Sequence, residues 1–118
     1  MKFINQEIKK FHDEYVRLLE LSYIALDELE ANSDSTKEAD LQKKYDKAKK
    51  IFVDFADNVF ARAIYIELSK TKPVLVDVRT GKKCKWDKLF KCSFDELDSL
   101  DKSILIGLIE ETGGYTFA

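Results

Sequence analysis

A single histidine, His12, stands in the whole chain. A zinc site or a general base needs partners converging on it, and one histidine cannot build a multi-histidine site. A place on the surface or at the edge of a helical seam is the expectation for it. Cysteine is almost as scarce. Cys84 and Cys92 have no second pair and no neighbouring histidine, so they signal neither a zinc site nor a disulfide framework, and reduced thiols are expected.

Glycine and proline are also sparse, four and one respectively, and no linker, internal repeat or low-complexity segment divides the chain. The string TGKK at 80–83 lacks the first glycine of a phosphate-binding loop and leads into a strand pattern, not a helix. DELDSLD at 95–101 lacks the glycine and ligand spacing of a calcium loop. No GxSxG is present, and neither cysteine has a histidine near it in sequence. No catalytic residue, metal ligand or cofactor is therefore expected. Long apolar runs are missing too: ILIGLI at 104–109 is the longest, far short of the roughly 20 residues that span a bilayer. MKFINQEIKK breaks into charge before an apolar core of a secretory leader can form, so a cytoplasmic protein without a membrane partner is expected.

What remains is a globular composition, 45% apolar and 36% charged over 118 residues, the size of one domain spanning 1–118. The net charge of −2 conceals a segregation. Lys plus Arg against Asp plus Glu runs 5 to 10 over residues 1–40, 7 to 4 over 41–70, 7 to 2 over 71–91 and 1 to 6 over 92–118. Acidic ends flank a basic middle, a pattern that steers a partner or draws the chain's own segments together.

Apolar residues recur at steps of four and three through Ile4, Ile8, Phe11, Tyr15 and Leu18, then Ser22, Ala25 and Leu29. That is a heptad seam on a long helix, with Leu21, Tyr23, Ile24 and Leu26 widening the apolar surface. Ser35 and Glu38 fit a capping box and start a second helix near Thr36. Its seam runs Leu41, Tyr45, Ala48, Phe52, Phe55, Val59, Arg62, Ile66, so a coiled-coil-like antiparallel helical hairpin over 3–70 is predicted. IFVDFADNVFARAIYIELS is apolar on nearly every side, and must be covered by the C-terminal third or by a second copy of the chain, which makes a homodimer one of the possible partners. Asp54, Asp57, Asn58 and Arg62 form its one polar constellation, either a solvated face or the specificity centre of an interface.

Pro73 stops the helix and the period changes to two through Val74, Val76 and Val78. A three-residue turn with Gly81 left-handed pairs Val78 with Lys82, Val76 with Cys84 and Val74 with Trp86, giving a β-hairpin over 74–86 with its bulky apolar groups on one face. Ser93 and Glu96 then suggest another capping box and a C-terminal helix over 94–112, ended by Gly113 and Gly114, and the tail YTFA can add a third strand. The predicted fold class is α+β, predominantly α: a long antiparallel helical hairpin followed by a small β-hairpin and a C-terminal helix.

Two partner-binding sets emerge. The first is the basic face Arg79, Lys82, Lys83, Lys85 and Lys88; the second is the polar stripe Asp54, Asp57, Asn58 and Arg62. Lysines interleaved with Trp86 and Phe90 resemble what single-stranded nucleic acid needs, but the expected register turns Trp86 toward the valines and removes the stacking platform. The leading expectation is a non-catalytic protein-binding module of inhibitor, immunity or accessory type, recognising a macromolecular partner through charge-complementary surfaces. The alternative is a nucleic-acid-associated regulator that uses the basic hairpin 79–91.

Overall fold

Asn5 opens the first helix, its side-chain oxygen accepting the Ile8 N–H at 2.9 Å. The computed structural model describes residues 5–111 and 113–118; the hairpin start expected at residue 3, the seam position Ile4 and the helix end expected at 112 lie outside them. Helix α1 (Gln6–Ala31) runs to Asn32, and α2 (Glu38–Phe55) returns antiparallel beside it. The Ser35–Glu38 capping box does not form, because α2 begins at Glu38 without a side-chain cap. Asp34 organises the connection instead: its Oδ1 accepts both the Thr36 N–H, at 3.0 Å, and the Thr36 hydroxyl, at 2.7 Å.

Beyond α2 the helix continues through one π-turn, Ala56–Phe60, into α3 (Ala61–Thr71). The extra residue of a π-turn rotates everything after it. The expected seam therefore stops at Phe55. Val59, Arg62 and Ile66 turn outward, and Ala56, Phe60, Ile64 and Leu68 turn in, the last three fully buried. Lys72 closes α3 in the left-handed region, its N–H bonded to the Leu68 carbonyl at 2.8 Å.

Strand β1 (Val74–Asp77) pairs antiparallel with β2 (Lys83–Lys85) on one side and with β3 (Tyr115–Phe117) on the other, so the tail does supply a third strand. The hairpin register is one residue away from the expected one: Val74 lies opposite Lys85, Leu75 opposite Cys84 and Val76 opposite Lys83. Asp77 explains the slip. Its carboxylate accepts the Arg79 N–H at 2.9 Å, so the reversal begins at Asp77 and the loop holds four residues, Val78–Gly81, not three. Gly81 does take the left-handed position, with φ +70°.

Trp86 is not a strand residue but opens a short helix, α4 (Trp86–Leu89). The expected helix over 94–112 is also shorter. Ser93 begins only a 3-10 turn, Phe94–Glu96, and α5 (Ser99–Glu110) starts when Asp98 caps the Asp101 N–H at 2.8 Å. Glu111, left-handed at φ 59°, ends it ahead of the two glycines. Gly113 serves a different purpose: a Cβ there would lie 2.9 Å from the Ile104 carbonyl oxygen.

The core is Phe60, Ile64 and Leu68 against Leu105, Leu108 and Ile109, with Leu75, Trp86, Phe90, Phe94 and Leu97 closing its far side. The C-terminal third thus covers α3 within one chain. Helix α2, by contrast, has no buried residue. The molecule measures 54 × 27 × 25 Å: a packed head from which the distal half of α1, with α2, projects as a two-helix arm. No helix among the described residues is long and apolar enough to cross a membrane.

Candidate functional site

Alternation along β1 divides the sheet into two faces. The inner face carries Leu75 with its partners Cys84 and Phe117, and Leu75 is fully buried. The outer face carries Val74 opposite Lys85, and Val76 between Lys83 and Thr116. Val74 is 39% exposed and Val78, just past the strand, 58%. The register found here therefore mixes valines and lysines on one solvent-facing surface, where the expected register had separated them.

All five residues of the predicted basic face are exposed, and none takes part in an ion pair among the described residues. The structure distributes them unevenly. Lys83 and Lys85 flank the valines, Arg79 and Lys82 lie at the turn, and Lys88 sits on α4. Arg79 and Lys82 are held there by local bonds, Arg79 N–H to Asp77 and Lys82 N–H to the Thr80 hydroxyl at 3.3 Å. An apolar centre with a cationic rim has the anatomy of a protein-binding patch.

Trp86 and Phe90 are buried, as the sequence had suggested for the tryptophan, though by a different route. The Trp86 ring packs edge-on against Tyr65 at 5.6 Å, and the Tyr65 hydroxyl donates to the Cys92 carbonyl at 2.7 Å. The indole N–H finds no acceptor among the described residues, so Trp86 anchors α4 through its ring area alone.

The polar stripe is divided by the π-turn. Asp54 lies in the last turn of α2, Asp57 and Asn58 lie within the π-turn, and Arg62 falls on α3. Arg62 is bound inside the molecule: it pairs with Asp95 at 2.6 Å and lies 4.5 Å over the Phe94 ring, which Lys102 also covers at 5.0 Å. That group fixes the 3-10 turn to α3, leaving Asp54 and Asn58 as exposed polar residues.

His12 is not a surface residue. It is buried against Tyr15 and Phe60, with Nε2 3.6 Å from a Glu110 carboxylate oxygen. Beside it Tyr15, Leu100, Ser103, Ile104, Gly107 and Glu110 line an open groove of about 350 Å³. Burial first, then the Glu110 carboxylate and Tyr23, holds the Tyr15 phenol above its ordinary value. The Ser103 hydroxyl donates to the Ser99 carbonyl at 2.9 Å, so it faces its own helix and no base. No cluster of three or more potential metal ligands occurs among the described residues.

Comparison with family models, with curated proteins and with solved structures finds no match to this chain.

Proposed function

We propose that the protein is a non-catalytic binding module that recognises an acidic macromolecular partner, a protein, through the outer face of its sheet. One observation carries this reading: exposed Val74 and half-buried Val76 share the outer face with Lys85 and Lys83, their cross-strand partners, whose ammonium groups have no counter-charge among the described residues. Apolar area supplies affinity, and unpaired cations supply steering and selectivity for acidic surfaces. A role as an inhibitor, immunity or accessory protein fits a small domain whose recognition groups are presented on a rigid sheet.

The nucleic-acid reading has the lysines but lacks the platform. Trp86 and Phe90, the aromatics of the basic stretch, are both in the core, so bases have no ring there to stack on.

Tagged protein, treated with nuclease and passed through its native lysate, should retain a protein that elutes as salt rises. Lys83→Glu with Lys85→Glu should lose that protein while the circular dichroism stays unchanged. Retention of the same protein by the double variant would remove the reading.

A further inference from the structure

We propose, resting on the reading of the outer sheet face as the binding surface, that the partner attaches at the free edge of β2: an extended acidic segment pairs with it as a fourth, antiparallel strand.

The ladder fixes which backbone groups are free. The Asp77 N–H bonds the Lys82 carbonyl at 2.9 Å and the Trp86 N–H the Pro73 carbonyl at 3.4 Å, with Leu75 opposite Cys84 between them. In an antiparallel pair every second residue turns its N–H and C=O toward the neighbouring strand. Lys82, Cys84 and Trp86 therefore face β1, and Lys83 and Lys85 turn their backbone groups away from it. Strand β1 obeys the same alternation on its other side, where the Val78 N–H bonds the Gly114 carbonyl at 3.1 Å and the Ala118 N–H the Val74 carbonyl at 3.0 Å. Since β2 stands at the end of the order β2-β1-β3, no strand receives what Lys83 and Lys85 offer. Among the described residues the one bond to either backbone is donated by the Cys84 thiol to the Lys85 carbonyl, at 3.3 Å. Both lysines are exposed, and Cys84 between them is half-buried. The opposite edge differs: α5 packs against β3, and Tyr115 and Phe117 pack on the core.

Charge decides what can add to the β2 edge. Residues 79–91 hold six cations, Arg79, Lys82, Lys83, Lys85, Lys88 and Lys91, against one acid, Asp87. None of the six takes part in an ion pair among the described residues. The β2 of a second copy would set lysine against lysine, and like charges directly opposite on a sheet repel, which guards this edge against self-assembly. A nucleic acid matches the charge but has no peptide groups to continue the ladder. A strand with acids at alternate positions answers both features. Its carboxylates lie across from Lys83 and Lys85 on the outer face, and its backbone exchanges N–H and C=O bonds with both residues. The residue between them, opposite Cys84, turns to the inner face, where an apolar side chain covers the open part of Cys84. The recognised pattern is acid, apolar, acid.

The probe is a capped heptapeptide of alternating glutamate and valine, glutamate at both ends, added to the isotope-labelled full chain near neutral pH. At saturation, exchange of the Lys83 and Lys85 amides with solvent should slow about tenfold, while that of Cys84, already bonded to β1, changes little. N-methylation of the two glutamates flanking the central valine removes the N–H groups that face β2 and should weaken binding about tenfold. N-methylation of the central valine, whose N–H faces away, should leave binding as it was. Lys83→Glu with Lys85→Glu should abolish it. A peptide that does not bind overturns the proposal. So does binding that ignores methylation of the glutamates or leaves the Lys83 and Lys85 amides exchanging as before: acids would then dock on the lysine side chains alone, and the outer-face reading would stand without strand addition. That reading fails separately, when the native lysate yields no protein that the double lysine variant loses.

Discussion

Leu75 and Cys84 face each other across the hairpin on its inner side, while the flanking pairs Val74–Lys85 and Val76–Lys83 face outward. A one-residue slip would exchange the two sets completely. Leu75→Ala should therefore cost about 2–5 kcal/mol, the range for emptying a buried leucine site. Val76→Ala removes a half-buried group and should cost about 1 kcal/mol or less. Urea denaturation of both variants checks the order; a costlier Val76→Ala would mean that the valines face the core.

The π-turn is an insertion into an otherwise regular helix, so removing one of its residues should restore α-helical phase and keep Phe60, Ile64 and Leu68 facing inward. Deletion of Val59, which is 41% exposed, should leave a cooperatively folded protein with an unchanged helix signal. Deletion of Ile64, beyond the turn, should unfold the head. Circular dichroism melts of the two deletions should differ sharply, and equal damage from both would contradict the phase argument.

Glu111 occupies the left-handed region at φ 59°, where a side chain is strained and glycine is not. Glu111→Gly should stabilise the protein by about 0.5–1 kcal/mol, the strain relief being partly offset by the freer unfolded chain. Lys72, at φ 45°, should respond in the same way. Chemical denaturation measures both, and a loss of stability in either would mean that its side chain holds the helix end by some other contact.

Tyr15 is neutral in its half-buried place beside Glu110, and its phenol is raised above the ordinary value by burial and then by that carboxylate. A raised value favours the protonated form in the folded state. The stability it contributes is fully present below the unfolded value near pH 10 and is lost as pH rises through the higher folded value. Spectrophotometric titration should place its ionisation above that of a free tyrosine, and Glu110→Gln should bring it part of the way down. No response to Glu110→Gln would remove the carboxylate from the account.

How much of this the sequence revealed depended on whether a local pattern or a tertiary choice decided the outcome. The helical hairpin was legible because Ile8, Phe11, Tyr15 and Leu18 on α1, and Phe52 and Phe55 on α2, recur as an ordinary heptad; the ring contact Tyr15–Phe52 at 5.0 Å belongs to that seam, and Tyr15–Phe60 at 5.3 Å continues it only by way of the π-turn. The burial of Trp86 and the third strand were legible for similar reasons. The π-turn was not, because ADNVF carries no residue that demands one; only the inward pull of Phe60, Ile64 and Leu68 against α5 reveals it. The hairpin register turned on the Asp77 side chain choosing the Arg79 N–H, a bond that alternation of valines does not report. His12 looked peripheral because its partner, Glu110, is remote in sequence. Of the candidate sites, the basic residues were visible from composition, but their mixture with exposed valines follows only from the observed register.

The most direct test places a photo-crosslinking residue at Val76, at the centre of the outer face, and irradiates the protein in nuclease-treated native lysate. One dominant adduct with an acidic protein is expected, lost when Lys83 and Lys85 become Glu and absent when the crosslinker sits at exposed Asn58 instead. An adduct with nucleic acid, or one indifferent to the two lysines, would contradict it.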